Sequence, residues 1–432
     1  MNKTILARAL IAAMAAAPLS AFASEAELLQ KIEQLASELQ KVKAELSAMR
    51  QKTDAVEKRE EALAAGAPSS AYGPAAQGAS PGRQTVVTGY GEVNYNRPRR
   101  DPSQAQADVR RAVIGLEHRF DERTRLVTEF EWEHAVTSAS DAGESEVEQL
   151  YVEREFGNGL RAKAGLFLIP AGLLNTNHEP TAYYGVERNF VETAIIPSTW
   201  REAGVGLSST LDNGLTWDVG LTTGFDLTKW DATSNEGRES PLGSIHQEGQ
   251  FAKSRDLSVH GALNWRGVPG LLLGGSVFSG KAGHGTVNFA APEARVTLAD
   301  LHARYTPGRW DLSALYARGS ISNTDALNLT FVGNPTPVPS TFAGWYGQAA
   351  YKLWQSGDYS LTPFARYESY NTAMRYSALP AGLGLPAAPD ERVTTVGASL
   401  RLGEGVVLKA DYQKFKQDNT RDRLNLGLGY AF

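Results

Sequence analysis

Few residues of this chain have the types and spacing that acid–base or metal chemistry needs. The chain has 7 histidines and no cysteine, and His178 directly precedes Glu179 and Pro180. A histidine beside a carboxylate could bind a metal ion or transfer protons. However, the H-E-x-x-H pattern is absent, no second histidine follows at helical spacing, and no serine lies in a G-x-S-x-G turn. We interpret His178 as a loop-packing residue and expect no enzyme activity, no cofactor and no metal site.

Most other charged residues alternate with apolar or small ones. In one segment Arg125, Glu129, Glu131 and Glu133 alternate with Leu126, Thr128, Phe130 and Trp132. In another, Arg161 and Lys163 alternate with Ala162, Ala164, Leu166 and Leu168. A period of two places the charged side chains on one face of an extended strand. That face would be a solvated surface in a soluble sheet, or the wall of a wet pore in a closed barrel.

The last ten residues, 423–432, show the same period. Leu424, Leu426, Leu428, Tyr430 and Phe432 alternate with small or polar residues, and the last of them is aromatic. A half-buried strand of a soluble protein could have this pattern. An outer-membrane barrel needs it, because its lipid face is apolar and its last strand closes on the first. Alternation with a terminal aromatic also resembles the assembly signal of bacterial barrel proteins.

The pattern repeats through residues 84–432. We predict an all-β transmembrane antiparallel barrel of about 16 strands, near 84–96, 107–119, 123–135, 145–156, 159–168, 201–210, 214–224, 253–266, 270–280, 293–306, 308–319, 341–354, 357–370, 391–402, 405–416 and 421–432. Short breaks contain turn residues such as Asp212-Asn213 and Pro307-Gly308 and alternate with long ones. Because the N- and C-termini of the barrel fall on the same side of the membrane, the short turns are predicted to be periplasmic and the long loops extracellular. A soluble β-sandwich has no reason to alternate its loop lengths so regularly.

Three segments precede the predicted barrel. Lys3 and Arg8, an apolar core and a small-x-small site at Ala21–Ala23 predict a signal peptide over 1–23, so the protein is expected to be exported. Residues 24–65 form heptads of helix-forming residues and predict a coiled coil, with apolar residues at Leu28, Ile32, Leu35, Leu39, Val42, Leu46, Met49, Val56 and Leu63. A single solvated helix is the alternative. Residues 66–83, rich in Gly, Ala, Pro and Ser, predict a flexible linker.

The long break at 169–200 is unusually apolar for a segment left in water. It contains Leu173, Leu174, Tyr183, Tyr184, Phe190, Ile195 and Ile196. We therefore predict that it folds into the lumen and narrows it. The predicted constriction residues are His178, Glu179, Tyr183, Tyr184, Glu187, Arg188, Glu192 and Arg201, and the predicted pore-wall residues are Arg111, Arg119, Arg125, Glu129, Glu131, Arg161 and Lys163.

Around this loop the chain resembles the phosphate-selective porin O/P family and the related trimeric porins assigned to dicarboxylates. The resemblance rests on a G-x-F-x-x-P-x-G stretch, here Gly165–Gly172, followed by a long third loop. The resemblance in architecture covers residues 24–432, whereas a shared sequence motif is confined to about 165–206. It implies a barrel of this size, a third loop folded into the channel and, in some members, an N-terminal coiled coil. The phosphate channels have a ladder of arginines and a lysine cluster, whereas this lumen mixes charge signs, so phosphate selectivity does not carry over.

The sequence therefore predicts an outer-membrane porin for passive diffusion of small hydrophilic solutes. Acids on the loop would face bases on the wall, and organic anions would follow Arg161 and Lys163. Alternatively, these acidic and basic residues only pair with one another and hold the loop in place. A sugar-specific porin and an envelope-tethering barrel without a solute remain the alternative functions. We expect a homotrimer in outer-membrane lipid, with the coiled coil in the periplasm, where peptidoglycan is a candidate contact, and no binding to nucleic acid.

Overall fold

The computed structural model describes residues 84–432. The predicted signal peptide, coiled coil and linker lie outside these described residues. Within the described part of the chain, no helix is both long enough and apolar enough to cross a membrane.

The described residues form a closed antiparallel β-barrel. Its strands are β1 (Gln84–Pro98), β2 (Gln106–Arg119), β3 (Thr124–Glu133), β4 (Ser145–Gly157), β5 (Leu160–Leu168), β6 (Arg201–Thr210), β7 (Leu215–Thr222), β8 (Ser258–Val268), β9 (Leu271–Lys281), β10 (Arg295–Tyr305), β11 (Trp310–Ser322), β12 (Pro339–Tyr351), β13 (Trp354–Ser356), β14 (Tyr359–Tyr376), β15 (Glu391–Leu402), β16 (Val406–Phe415) and β17 (Arg423–Ala431). Because β12 and β13 both pair with β14, they are two parts of one interrupted strand. The wall thus has sixteen strands, which confirms the predicted barrel.

Helical structure among the described residues is confined to the connections. Two short α-helices are α1 (Glu236–Glu239) and α2 (Asp325–Thr330), and a π-helical turn covers Val191–Ile195. Single 3₁₀ turns lie at Pro102–Gln104, Leu227–Lys229, Gly243–Ile245 and Asn419–Arg421.

The connections alternate between two rims, as the sequence predicted. One rim has tight turns, which we call the short-turn rim; the other has the long loops and is called the long-loop rim. In the β4–β5 turn the backbone φ angle is +100° at Gly157, +52° at Asn158 and +72° at Gly159. Glycine and asparagine adopt this left-handed region most readily, so the local sequence specifies the turn.

The wall separates an apolar outer face from a polar inner one. Val259, Leu263 and Leu301 are exposed on the outside, whereas the inner face of the same strands carries polar groups such as His260 and Asp300. Outward exposure is not uniform, however. Thr128 and Leu168 alternate with inward charged residues, which predicts that they meet lipid, but they are only 5 % and 6 % exposed, so that prediction is wrong for these two residues.

Several long loops, and not only 169–200, fold into an apolar core. Trp200 stacks on Phe225 with ring centroids 5.2 Å apart and meets Phe278 edge-on at 4.6 Å. The loop between β7 and β8 contributes Phe225, Leu227, Trp230, Leu242 and Ile245 to this core. The indole nitrogen of Trp230 donates to the Thr336 carbonyl (2.9 Å), which ties this loop to the β11–β12 loop. Only loop 169–200 was predicted from sequence to fold inward; the apolar residues between β7 and β8 are the signal that could have revealed the second loop.

Phe432 completes the closure of the barrel. Its backbone exchanges two hydrogen bonds with Gly89 of β1, at 2.8 and 3.1 Å, and its ring stacks against Tyr430 with centroids 6.4 Å apart. The ring lies over Gly89, where a Cβ atom would stand 2.8 Å from ring carbon Cζ. The end of β17 is therefore fitted to the start of β1.

Deleting Phe432 should lower membrane insertion and leave export unchanged, because the seam loses two backbone hydrogen bonds and an interfacial aromatic ring. Quantitative immunoblots of membrane and soluble envelope fractions measure this. Phe432→Tyr keeps the seam and serves as the control. Normal membrane levels of the truncated protein would contradict the assigned role of this residue.

Candidate pore constriction

The long loop 169–200 lies inside the barrel and is bonded to strands on several sides. Tyr183 donates its hydroxyl hydrogen to Glu92 of β1 (2.8 Å). Tyr184 donates in the same way to Asp311 of β11 (3.0 Å). Burial, reinforced by the neighbouring carboxylates, raises the pKa of both phenols, so both remain protonated donors.

Backbone amides of the loop are also bonded to carboxylates of the wall. The Val186 amide donates to Asp411 of β16 (2.6 Å), and the Phe190 amide donates to Glu368 of β14 (2.6 Å). Glu368 is itself held by Arg366, whose Nε lies 3.0 Å from Glu368 Oε1. Wall carboxylates therefore supply acceptors that an irregular loop cannot find within itself.

Glu192 organises the loop internally. Its carboxylate accepts hydrogen bonds from the Leu173 and Leu174 amides (2.6 and 2.7 Å), from the Asn189 side chain (2.8 Å) and from the Tyr346 hydroxyl of β12 (3.0 Å). Burial raises the pKa of the Glu192 carboxyl, and these four hydrogen bonds oppose that rise. One side chain thus joins both halves of the loop to the far wall.

The base of the loop is closed by two further side chains. Asn175 donates to the carbonyls of Ile169 and Trp200 (2.7 and 2.8 Å) and accepts from the Trp200 amide (2.7 Å). Arg188 donates to the Thr199 hydroxyl (2.9 Å) and to the His178 carbonyl (3.1 Å). The start and end of the loop are therefore joined by polar bonds between buried groups.

The predicted basic wall residues are bonded mostly to acids of the same wall. Arg111 pairs with Glu92, Glu131 and Glu133 at 3.0, 2.9 and 3.4 Å. Arg125 pairs with Glu117 and Glu153, Lys163 pairs with Asp218, and Arg119 pairs with Glu117. Arg161 lies 3.9 Å from Glu155, and half of its side chain is exposed near the short-turn rim. These basic side chains therefore neutralise acidic side chains of the same wall.

The remaining predicted constriction residues differ in their surroundings. Arg201 is 3 % exposed and pairs with Glu146 (2.5 Å) and with Glu248 of the β7–β8 loop (3.1 Å). Glu187 accepts from Asn96 of β1 (3.0 Å). Glu129 of β3, Glu148 of β4 and His178 of the loop lie close together, with side-chain ligand atoms within 4.8 Å of one another. Glu179 also makes an interaction within the described structure.

A polar cavity lies between the loop and the opposite wall, β8 to β14. The loop side includes Leu173, Asn177, Tyr183 and Tyr184. The wall side contributes Asn264, Arg266, His302, Arg304, Asp311, Ser313, Gln348 and Arg366. None of these wall residues was a predicted site residue. An arginine in each of β8, β10 and β14 was the available signal, but sequence alone gave no reason to place the three beside one cavity.

Strand register places these arginines in one row across neighbouring strands. Arg304 is paired with Leu272 and Ser313, Ser313 with Gln348, and Gln348 with Arg366. Arg266 lies between the Trp265–Leu273 and Val268–Leu271 pairs, and so beside Leu272. Arg266 Nε and Arg366 Nη2 are buried atoms without a hydrogen-bond partner among the described residues. Guanidinium groups with unused donors therefore line this side of the lumen.

Comparisons with known proteins identify relatives of the fold. No family model matches the sequence. An uncharacterized protein of Aquifex aeolicus (strain VF5) is 28 % identical over 363 residues, which cover 80 % of each chain.

Three solved structures are similar in fold. Salmonella typhi OmpF, in complex with daunomycin, has a TM-score of 0.56 and 14 % identity over 81 % of this chain and 98 % of its own. The channel DcaP of Acinetobacter baumannii and an anion-selective porin from Comamonas acidovorans each have a TM-score of 0.50 and 12 % identity over 81 % of this chain, covering 98 % and 100 % of their own. The chain therefore has the barrel fold of the outer-membrane porins.

Replacing Glu192 by alanine should release the loop from the wall, because two backbone amides and two side-chain donors lose their shared acceptor. Each orphaned buried donor costs about 1–3 kcal/mol. Limited proteolysis of the purified barrel should show faster cleavage within 169–200. Glu187→Gln, which changes a half-buried carboxylate of the same loop, should be cleaved at the wild-type rate. Equal protection of both variants would contradict the central role of Glu192.

Proposed function

We propose that the protein is a passive diffusion channel of the outer membrane for small hydrophilic solutes, with a preference for small anions such as organic acids. In the functional assembly the chain is a homotrimer. The support is a sixteen-stranded barrel with an apolar exterior and the fold of outer-membrane porins. Closed barrels satisfy all backbone hydrogen bonds within lipid, and barrels of this size leave room for an aqueous path.

The observation that carries the proposal is the position of loop 169–200. The loop is bonded to β1, β11, β14 and β16. A polar cavity remains between it and β8 to β14. A constriction fixed by several bonds limits solute size, and polar groups around the remaining space replace the water that a hydrated solute gives up.

The preference for anions rests on the arginines of that cavity. Adjacent strands lie about 4.8 Å apart, so Arg266 and Arg304, two strands apart, are separated by roughly 10 Å along the wall. Arg304 is neutralised by Asp311 through two hydrogen bonds of 2.9 and 2.7 Å. Arg366 is paired with Glu368. Arg266 has no ion pair within the described residues and so leaves the cavity with an uncompensated positive charge.

This arrangement moves the proposed anion path away from Arg161 and Lys163. Lys163 is paired with Asp218 at 3.2 Å and lies 4.4 Å from the centroid of the Phe167 ring. An ammonium group neutralised in this way contributes little field to the lumen. The Comamonas acidovorans porin of similar fold is described as anion-selective, which agrees with a positive lumen but does not identify the solute.

The channel itself is tested by planar bilayer recordings of the purified protein. We expect stepwise conductance, and we expect deletion of residues 176–194 to raise the single-channel conductance because it removes the constriction. Thermal unfolding and gel mobility of the deletion variant provide the folding control. Absence of conductance in correctly inserted wild-type protein would favour an envelope-tethering barrel over a porin.

Selectivity is tested with Arg266→Gln. Loss of the unpaired charge should shift the reversal potential in a salt gradient toward cations, with little change in conductance. Arg154→Gln removes an equal charge from a residue that pairs with Asp121 near the short-turn rim, outside the cavity, and serves as the matched control. An unchanged reversal potential in Arg266→Gln, or an equal shift in both variants, would contradict the proposed anion path.

A further inference from the structure

A cluster of ligand-type side chains lies where loop 169–200 meets the first strands. His178 of the loop, Glu129 of β3 and Glu148 of β4 offer ligand atoms that all lie within 4.8 Å of one another. The Tyr90 hydroxyl of β1 joins them, 2.7 Å from His178 Nε2 and 2.8 Å from Glu148 Oε2. These residues are far apart in sequence, so no spacing motif revealed them.

We propose that Glu129, Glu148 and His178 bind a divalent transition-metal cation, which ties loop 169–200 to the barrel wall. The proposal is independent of the solute that the lumen passes. It departs from the expectation from sequence that the chain has no metal site.

The hydrogen atoms available in the cluster are too few for its acceptors. His178 Nδ1 lies 3.0 Å from the Asn175 carbonyl, which can only accept, so Nδ1 carries a hydrogen. In the neutral ring, Nε2 then presents a lone pair toward Tyr90 and Glu148. Tyr90 has one hydroxyl hydrogen for two acceptors, His178 Nε2 and Glu148 Oε2. One of these contacts lacks a hydrogen unless a cation or an additional proton is present.

Glu148 provides an independent observation that points to a cation. Its side chain is fully buried at 0 % exposure, and its Oε1 has no hydrogen-bond partner among the described residues. That oxygen lies 3.7 Å from His178 Nε2 and faces the cluster. A buried carboxylate oxygen without a donor is costly, and coordination of a metal ion satisfies it.

Charge in this region favours a cation as well. Glu131, a third acid, adjoins Glu148 and is paired with Arg111 at 2.9 Å. Arg111, the adjacent arginine, is also paired with Glu92 and Glu133. Glu129 and Glu148 thus have no lysine or arginine partner among the described residues, and a divalent ion would balance their negative charges.

The ligand set indicates the class of metal. One imidazole nitrogen and two carboxylate oxygens suit Zn²⁺, with the Tyr90 hydroxyl or a water molecule as the fourth ligand. Zinc binds these atoms at about 2.0–2.2 Å, so the ligand atoms, now up to 4.8 Å apart, would move closer together on binding. Ca²⁺ prefers six to eight oxygen ligands and does not match. Glu129 is partly exposed, which gives the ion access from the lumen.

The hydrogen bond from His178 Nδ1 to the Asn175 carbonyl has the form of an outer-shell contact. Metal-binding histidines usually donate their second ring N–H to a carbonyl or carboxylate, which fixes the ring orientation. Arg188 in turn donates to the His178 carbonyl at 3.1 Å. An ion at this cluster would therefore be connected to the bonds that close the base of the loop.

Calorimetric titration of Zn²⁺ into the purified, chelator-treated protein, prepared without a histidine tag, tests the site. We expect one Zn²⁺ per chain and no comparable binding of Ca²⁺. Glu129→Gln and His178→Gln should each weaken Zn²⁺ binding by at least about tenfold. Zn²⁺ should raise the thermal unfolding midpoint of wild type but not of Glu129→Gln, whose partly exposed side chain makes it the variant least prone to misfolding.

His260→Gln is the matched control, because His260 is also buried and bonded to a carboxylate, Asp218, at 3.0 Å. It should bind Zn²⁺ like wild type. Absence of stoichiometric Zn²⁺ binding by wild type would overturn the proposal and leave protons as the charges that balance the cluster. Wild-type affinity in Glu129→Gln and His178→Gln, or equal loss in His260→Gln, would overturn it too.

Discussion

Pairing of every backbone polar group is the constraint on which this structure depends. A barrel wall in lipid has no water to bond its N–H and C=O groups, so the sheet must close on itself. Here closure places β1 between β2 and β17 and ends in the two backbone bonds between Gly89 and Phe432. Once the wall is closed, period-two alternation fixes which side chains face outward and which face the lumen.

The same constraint governs the irregular loop inside the barrel. Non-regular backbone is tolerated in a confined space only where other groups satisfy it. Glu192 accepts two loop amides, Asp411 accepts the Val186 amide and Glu368 accepts the Phe190 amide. Glu192, which the sequence predicts to line the constriction, therefore serves as a structural acceptor, as do Asp411 and Glu368 of the wall. The number of charged residues in a lumen is a poor measure of the charge that a solute meets.

Local sequence patterns predicted the strands and turns. They could not predict which residues of distant strands come together. Alternation and turn residues predicted the sixteen wall strands, because a period of two and a Gly-Asn turn are read within a few residues. The row of Arg266, Arg304 and Arg366 depends on register across six neighbouring strands. The cluster of Glu129, Glu148 and His178 depends on where the loop lies. No local pattern contains that information.

Pairing among inward charges also determines where the lumen remains charged. Near β1 to β5, Arg111, Arg125 and Lys163 are each paired with wall acids, so their fields largely cancel. At the opposite wall Arg304 and Arg366 are paired as well, whereas Arg266 Nε has no hydrogen-bond partner within the described part of the chain. Because paired charges lose most of their field over a short distance, an unpaired guanidinium contributes more to the field in the lumen than a paired one. Strands β11, β12 and β14 bond the loop through Asp311, Tyr346 and Glu368 and also line the polar cavity, so one wall both fixes the loop and borders the remaining space.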